Sequence, residues 1–164
     1  AEDKQQLLAR LEPAEDDVQV DGYNIIFAWD ELSAIARDNL DAARHILMNL
    51  LCNYQAYRGC ALILVFDAYK VPEGLGSVEK YHNIHIVYTK QAETADQYIE
   101  RVTYALAGRR RRVRVATSDN LEQLIILGHG AERVSAQNFH DEVQAVQAEI
   151  SRLVQRNNQK NAEL

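Results

Sequence analysis

A three-layer α/β/α sandwich around a mainly parallel central sheet is the fold this sequence predicts, on three observations. Residues 61–66, ALILVF, form an unbroken apolar run, as expected of a strand covered on both faces in a parallel sheet. Strand patterns alternate with helical patterns along the chain, as βαβ units do. Several apolar runs close on an aspartate: Asp21 in VQVDGYN, Asp67 in LILVFDA and Asp119 in VRVATSD. Side chains at the carboxyl ends of parallel strands converge on one crevice, so these distant acids can meet.

Taken in order, the chain opens at Ala1 with a charged helix-like lead, Glu2 to Leu11, ahead of the first strand. This reads as a piece of a longer protein, with 1–17 a lead helix or linker, 18–156 the domain and 157–164 a polar tail. Asp21 before Gly22 fits a turn. Ala43, Ile46, Leu47, Leu50, Leu51 and Tyr54 follow the stripe of a helix packed on one side. Asp38 or Asp41 would cap its start. After the strand at 61–66, the stretch Ala68 to Tyr81 has glycines, a proline and mixed charge, and reads as a loop over the sheet edge. Ile84, Ile86, Val87 and Tyr88 form a short strand. Thr94 and Gln97 have the spacing of a capping box, and Ile99, Val102 and Leu106 carry that helix's apolar side until Gly108 stops it. Val113, Val115 and Ala116 make another strand, with Ser118 or Asp119 capping a short helix through Leu121, Leu124 and Ile125. Glu132 to Ser135 is a last strand. An amphipathic helix over Asp141 to Arg156 buries Val143, Val146, Ile150, Leu153 and Val154, and the chain frays from Asn157.

At 164 residues the chain has room for one domain with a substantial core. It is 47% apolar with few glycines and prolines, which excludes a disordered or collagen-like chain. Cys52 and Cys60 lack zinc spacing and read as reduced, buried thiols. No apolar run approaches the roughly 20 residues needed to span a bilayer, and no signal peptide opens the chain; the default compartment is the cytoplasm and no membrane partner is expected. A formal net charge of −6 argues against holding nucleic acid by bulk electrostatics. RNA binding would need local basic patches and a metal.

The acids supply the metal. Each alone has an ordinary structural role: Asp119 as a helix cap, Asp96 in a first helical turn, Asp67 and Asp21 in turns. Together they would repel, by about 4 kcal/mol for two charges ~4 Å apart at an effective dielectric near 20, unless a divalent cation joins them or one acid stays protonated. Mg²⁺ or Mn²⁺ takes oxygen ligands and keeps several waters, so Asp21, Asp96 and Asp119 suffice as ligands. Asn24 could bind a ligand water or a phosphate oxygen, and Thr117 and Ser118 could hold the loop or touch phosphate. Glu93 and Glu100 flank Asp96 and could join as further ligands or a base. The basic run Arg109, Arg110, Arg111 and Arg112 could bind RNA phosphates, although such a run is usually just solvated. Histidines 45, 82, 85, 129 and 140 show no ligand spacing. The chain has no GxxxxGK[ST], GxGxxG or GxSxG motif, so NTPase, dinucleotide enzyme and serine hydrolase lose support.

VDGYNII, VFDA, YTKQAETAD and VATSD, in that order, resemble the NYN domain family, and within it the YacP-like branch of PIN-like nucleases, over about Val18 to Arg156. The resemblance implies a PIN-like fold and a metal-dependent endoribonuclease, with members of this branch acting on RNA in connection with translating ribosomes. By motif, Asp21 matches the first-strand acid, Asp67 the acid after the second strand, Asp96 the central helix acid, Asp119 the acid after the later strand, and Asn24 the amide of the name-giving motif. The lead helix departs from the pattern and implies an upstream domain; similar domains are fused in some bacteria to translation-factor-like GTPases. The expectation is therefore hydrolysis of single-stranded RNA to 5′-phosphate and 3′-hydroxyl ends, with Asp67 assisting the other three acids and the ribosome as a partner. The competing classes are a non-catalytic RNA- or ribosome-docking module of the same fold and a phosphatase of small phosphoesters.

Overall fold

A computed structural model of the chain describes residues 2–12, 14, 16–67, 75–109, 111–118 and 130–163. In chain order the elements are α1 (Glu2–Arg10), β1 (Asp16–Asp21), α2 (Gly22–Ala28), α3 (Asp30–Asp38), α4 (Leu40–Arg58), β2 (Ala61–Phe66), β3 (Leu75–Tyr81), β4 (Ile84–Lys90), α5 (Ala95–Gly108), β5 (Arg112–Ala116), β6 (Glu132–Val134) and α6 (Ala136–Glu163). The strands lie in the order β3-β4-β2-β1-β5-β6, all neighbours parallel except β3 with β4. This is the expected α/β/α sandwich.

The apolar run of β2 shows why both faces are covered. Leu62, Leu64 and Phe66 point into one core with Val18 and Val20 of β1, Leu47 and Leu51 of α4, and Phe139 and Val143 of α6. Ile63 and Val65 point the other way, into a second core with Val115, Tyr98, Ile99 and Val102. Alternation within a continuous apolar run is what a central strand needs when helices flank both sides.

Four local expectations change. Leu75–Tyr81, read as loop, is an antiparallel edge strand paired to β4 through the turn at His82, whose φ is 50. Glycines and mixed charge hide it, because an edge strand buries little; Val78 is its one described core residue. Asn39, not Asp38 or Asp41, caps α4: its Oδ1 accepts from the Ala42 backbone N–H at 3.0 Å. Residues 22–38, apart from the turn expected at Asp21-Gly22, form two short helices. α6 starts at Ala136, since the Ser135 hydroxyl oxygen accepts from the Asn138 N–H at 3.1 Å, and it continues to Glu163 with residues 151–162 exposed. The expected fraying from Asn157 is thus helix. The short helix expected around Leu121 to Ile125 lies outside the described residues.

The lead is clamped to the domain. Leu7 is fully buried in the second core, with Leu8 and Leu11 packed against it. Glu12 accepts from Lys80 and from His85 Nε2, and Arg10 donates to the Val78 carbonyl at 2.8 Å.

A candidate active site at the carboxyl edge of the sheet

β1 sits between β2 and β5, with Val20 beside Leu64 on one side and Ala116 on the other. The chain leaves β1 toward β2, and returns later to β5 on the opposite flank. This reversal opens a crevice at the carboxyl ends of the strands. Asp21 ends β1 there, level with Val65. Asp67 follows β2, and Thr117 and Ser118 follow β5.

The β1 exit is tied to the β5 exit by one side chain. Asn24, in the first turn of α2, accepts at Oδ1 from the Ser118 N–H at 2.6 Å, the Ser118 hydroxyl at 2.8 Å and the Thr117 hydroxyl at 3.3 Å. The next residue is Asp119, which lies outside the described residues. Asn24 therefore fixes the start of the loop that carries the expected fourth acid. Asp21 occupies the N-cap position of α2 without making a side-chain cap bond. Gly22 is required sterically: a Cβ there would stand 2.4 Å from Phe66 Cε1 and 3.0 Å from the Val65 carbonyl oxygen, so only glycine lets α2 start this close to β2.

The β2 exit is tied to the amino end of α5. Asp67 Oδ1 accepts from the Ala95 N–H at 3.1 Å, one of the backbone donors a helix leaves open. The predicted capping box is present: the Thr94 hydroxyl oxygen accepts from the Gln97 N–H at 3.3 Å, and Gln97 Oε1 accepts from the Thr94 N–H at 3.0 Å. Asp96 accepts from the Thr94 hydroxyl. Two carboxylates thus gather at one helix N-terminus, where the dipole favours each by roughly 0.3–1 kcal/mol. Among the described residues, no three carboxylates, imidazoles or thiols stand close enough together to hold a metal ion.

The other candidates are placed differently. Glu93 is paired with Arg101 at 2.7 Å, and Glu100 lies half-buried one turn beyond Asp96. The basic run stands at the opposite edge. Arg112 is the first residue of β5, about 13 Å below its last at roughly 3.3 Å per step. Arg111 grips the fully buried Asp17 through two bonds, the longer 2.6 Å, and also donates to the Glu12 carbonyl at 3.2 Å. Arg109 reaches the Leu8 carbonyl at 3.5 Å. Arg110 lies outside the described residues. The run anchors the lead segment and does not reach the acid crevice, because a strand's two ends open on opposite edges of the sheet.

Two residues at the site escaped the sequence reading. Tyr23 packs its ring 5.0 Å from Phe66, and Arg44 Nη1 donates to its hydroxyl at 3.0 Å. Burial raises the Tyr23 phenol above its ordinary value; the Arg44 hydrogen bond opposes this, and the charge of nearby Asp67 adds to it. The DGYN motif held the signal for Tyr23. Arg44 had none, since one arginine on a helix is unremarkable in sequence. The two thiols are free as expected, and burial pushes Cys60 up to about 11.

Residues 18–164 match the family model for the YacP-like NYN domain. The uncharacterized protein YacP of Bacillus subtilis (strain 168) is 39% identical over 137 residues, which is 84% of this chain and 80% of that protein. The crystal structure of Rae1 (YacP) from Bacillus subtilis matches with a TM-score of 0.79 and 37% identity, over 90% of this chain and 84% of that one. A point mutant of the same protein matches at 0.77 with 36% identity, covering 88% and 84%.

Proposed function

Because the chain belongs to the YacP-like NYN domain family, a nuclease-type domain concerned with RNA, we propose that it is a metal-dependent endoribonuclease that hydrolyses single-stranded RNA. The observation that carries this reading is the Asn24 clasp, which joins the Asp21 strand exit to the segment leading into Asp119. A fold that needed these acids only as turn residues would not need three bonds to hold their strand exits together.

The donor set suits the ion. Asp21, Asp96 and Asp119 would hold Mg²⁺ or Mn²⁺ through hard carboxylate oxygens, and such ions keep waters and phosphate oxygens as their remaining ligands. When bound, the ion supplies charge neutralisation among the acids and a lowered pKa for the attacking water. Asp67, held on the Ala95 N–H, orients the start of α5 and with it Asp96. Asn24 holds Thr117 and Ser118 so that the β5 exit keeps its place while RNA enters. Members of this branch that act with translating ribosomes make ribosome-bound mRNA the substrate to try first.

The test is cleavage of unstructured and ribosome-bound RNA with Mn²⁺ present. Asp21→Asn and Asp119→Asn are expected to stay folded, by circular dichroism, while losing at least about a hundredfold in rate; the products should carry 5′-phosphate ends. A 2′,3′-cyclic phosphate product would sink the mechanism, and unimpaired RNA binding without any cutting by the parent chain would make the domain a docking module.

A further inference from the structure

Phe27 is an unusual residue to leave in the open. It is 47% exposed at the end of α2, whose neighbouring Ile25 and Ile26 are fully buried. At about 100° per residue around the helix, its direction falls between those of Tyr23 and Asn24, one turn further along. Those two residues flank the crevice: Tyr23 lies against Phe66 and feels the charge of Asp67, and Asn24 binds Ser118. Phe27 therefore overlooks the acids from above the β1 exit.

Its ring is the exposed end of a row. Tyr23 and Phe27 stack at 6.4 Å with an interplanar angle of 26°, Tyr23 and Phe66 are 5.0 Å apart, and Phe66 stacks on Tyr88 at 5.8 Å and 22°. The inner rings Tyr23 and Phe66 are buried, so the row is rigid and holds Phe27 in one orientation. A rigid aromatic face beside a polar, acid-lined crevice offers what an unpaired base needs, stacking without charge. In a net-acidic domain it also offers RNA a grip that does not depend on phosphate attraction.

We propose that Phe27 is a stacking platform for a nucleobase of the RNA strand, a few nucleotides from the bond that is cut; this rests on the endoribonuclease reading above and adds how the strand is held. Phe27 stands six residues beyond Asp21, about 9 Å along the helix at 1.5 Å each. That spans about two to three stacked nucleotides at roughly 3.4 Å apiece. The platform requires an unpaired base, so it selects single-stranded RNA over duplex and tolerates any base identity.

The test uses the full chain and a short unstructured oligoribonucleotide. Phe27→Leu keeps apolar bulk and removes the ring; it should raise KM about tenfold with kcat nearly unchanged. An abasic nucleotide moved along the substrate should weaken the parent protein at one position near the cut and leave Phe27→Leu indifferent to that change. Equal KM for the two proteins, or an abasic penalty independent of residue 27, overturns the platform while leaving the nuclease reading intact. If the parent chain cuts no RNA, the nuclease reading fails, and the platform is then decided by fluorescence of the Phe27→Trp variant: quenching by the oligoribonucleotide supports stacking, and an unchanged spectrum overturns it.

Discussion

Asn24 shows how much one side chain can organise. Its carboxamide oxygen takes three donors from two residues of another strand's exit, which a turn amide does not do. Because those donors belong to the segment entering Asp119, Asn24 is a positioning residue for an acid it does not touch in sequence. Asn24→Leu removes the acceptor and frees the segment to shift. A displacement of about 1 Å at a catalytic group costs about a hundredfold, so kcat should fall by that order while KM for RNA changes little. A matching rise in KM with unchanged kcat would assign Asn24 to substrate binding instead, the role its place in DGYN first suggested. That choice was not legible in the sequence, where Asn24 and Ser118 are 94 positions apart.

At the scale of elements, charge runs and leads take on structural meaning. Three of the basic residues after α5 looked like a phosphate site; Arg109 and Arg111 instead fasten the lead to the domain, and Arg111 neutralises Asp17 inside it. A buried carboxylate without this partner would be strongly destabilising. α1 contributes to the second core through Leu7, which is fully buried against α5 and the sheet. Leu7→Ala should therefore cost roughly 2–5 kcal/mol, seen as a lower urea midpoint with little change in slope. A variant as stable as the parent would mean that α1 is a detachable linker. The apolar spacing of the lead was too short to reveal this, since three leucines in a charged stretch do not specify what they pack against.

For the whole molecule, acid is the condition that strains the attachments between layers. Burial alone would raise the Glu12 carboxyl, but Lys80, a backbone hydrogen bond and His85 together outweigh it and hold Glu12 at about 2. Burial lowers His85 below its ordinary value, and the bond to Glu12 opposes this only in part. Burial likewise works against a charged Glu142, yet Arg114, bonded at 2.8 Å, and Tyr54 bring it below the usual carboxylate range. All three folded values are depressed, so their stabilisation is present above the unfolded values and is lost as pH falls through the folded ones. His85 acts first, below about 6.5, and the two glutamates below about 4.5. Thermal stability should decline from pH 7 toward pH 3, with β3, the lead and α6 loosening before the central strands in hydrogen exchange. A melting temperature that stays level over that range would show that these nodes do not hold the layers together.

What the sequence determined by itself is what short-range pattern can carry. The alternation of periods gave the α/β/α layers, ALILVF gave a strand buried on both faces, Thr94 and Gln97 gave a capped helix, and four ordered motifs gave the family. These follow from residues that are neighbours along the chain, where spacing and propensity act directly. The tertiary structure alone decided which strand ends face which edge, and so it separated the arginine run from the acids and brought Asn24 to Ser118. It also made β3 a strand through its pairing with β4, and left Phe27 at the open end of an aromatic row. Each of these depends on contacts between residues far apart in sequence, fixed by strand order and helix packing rather than by any local preference.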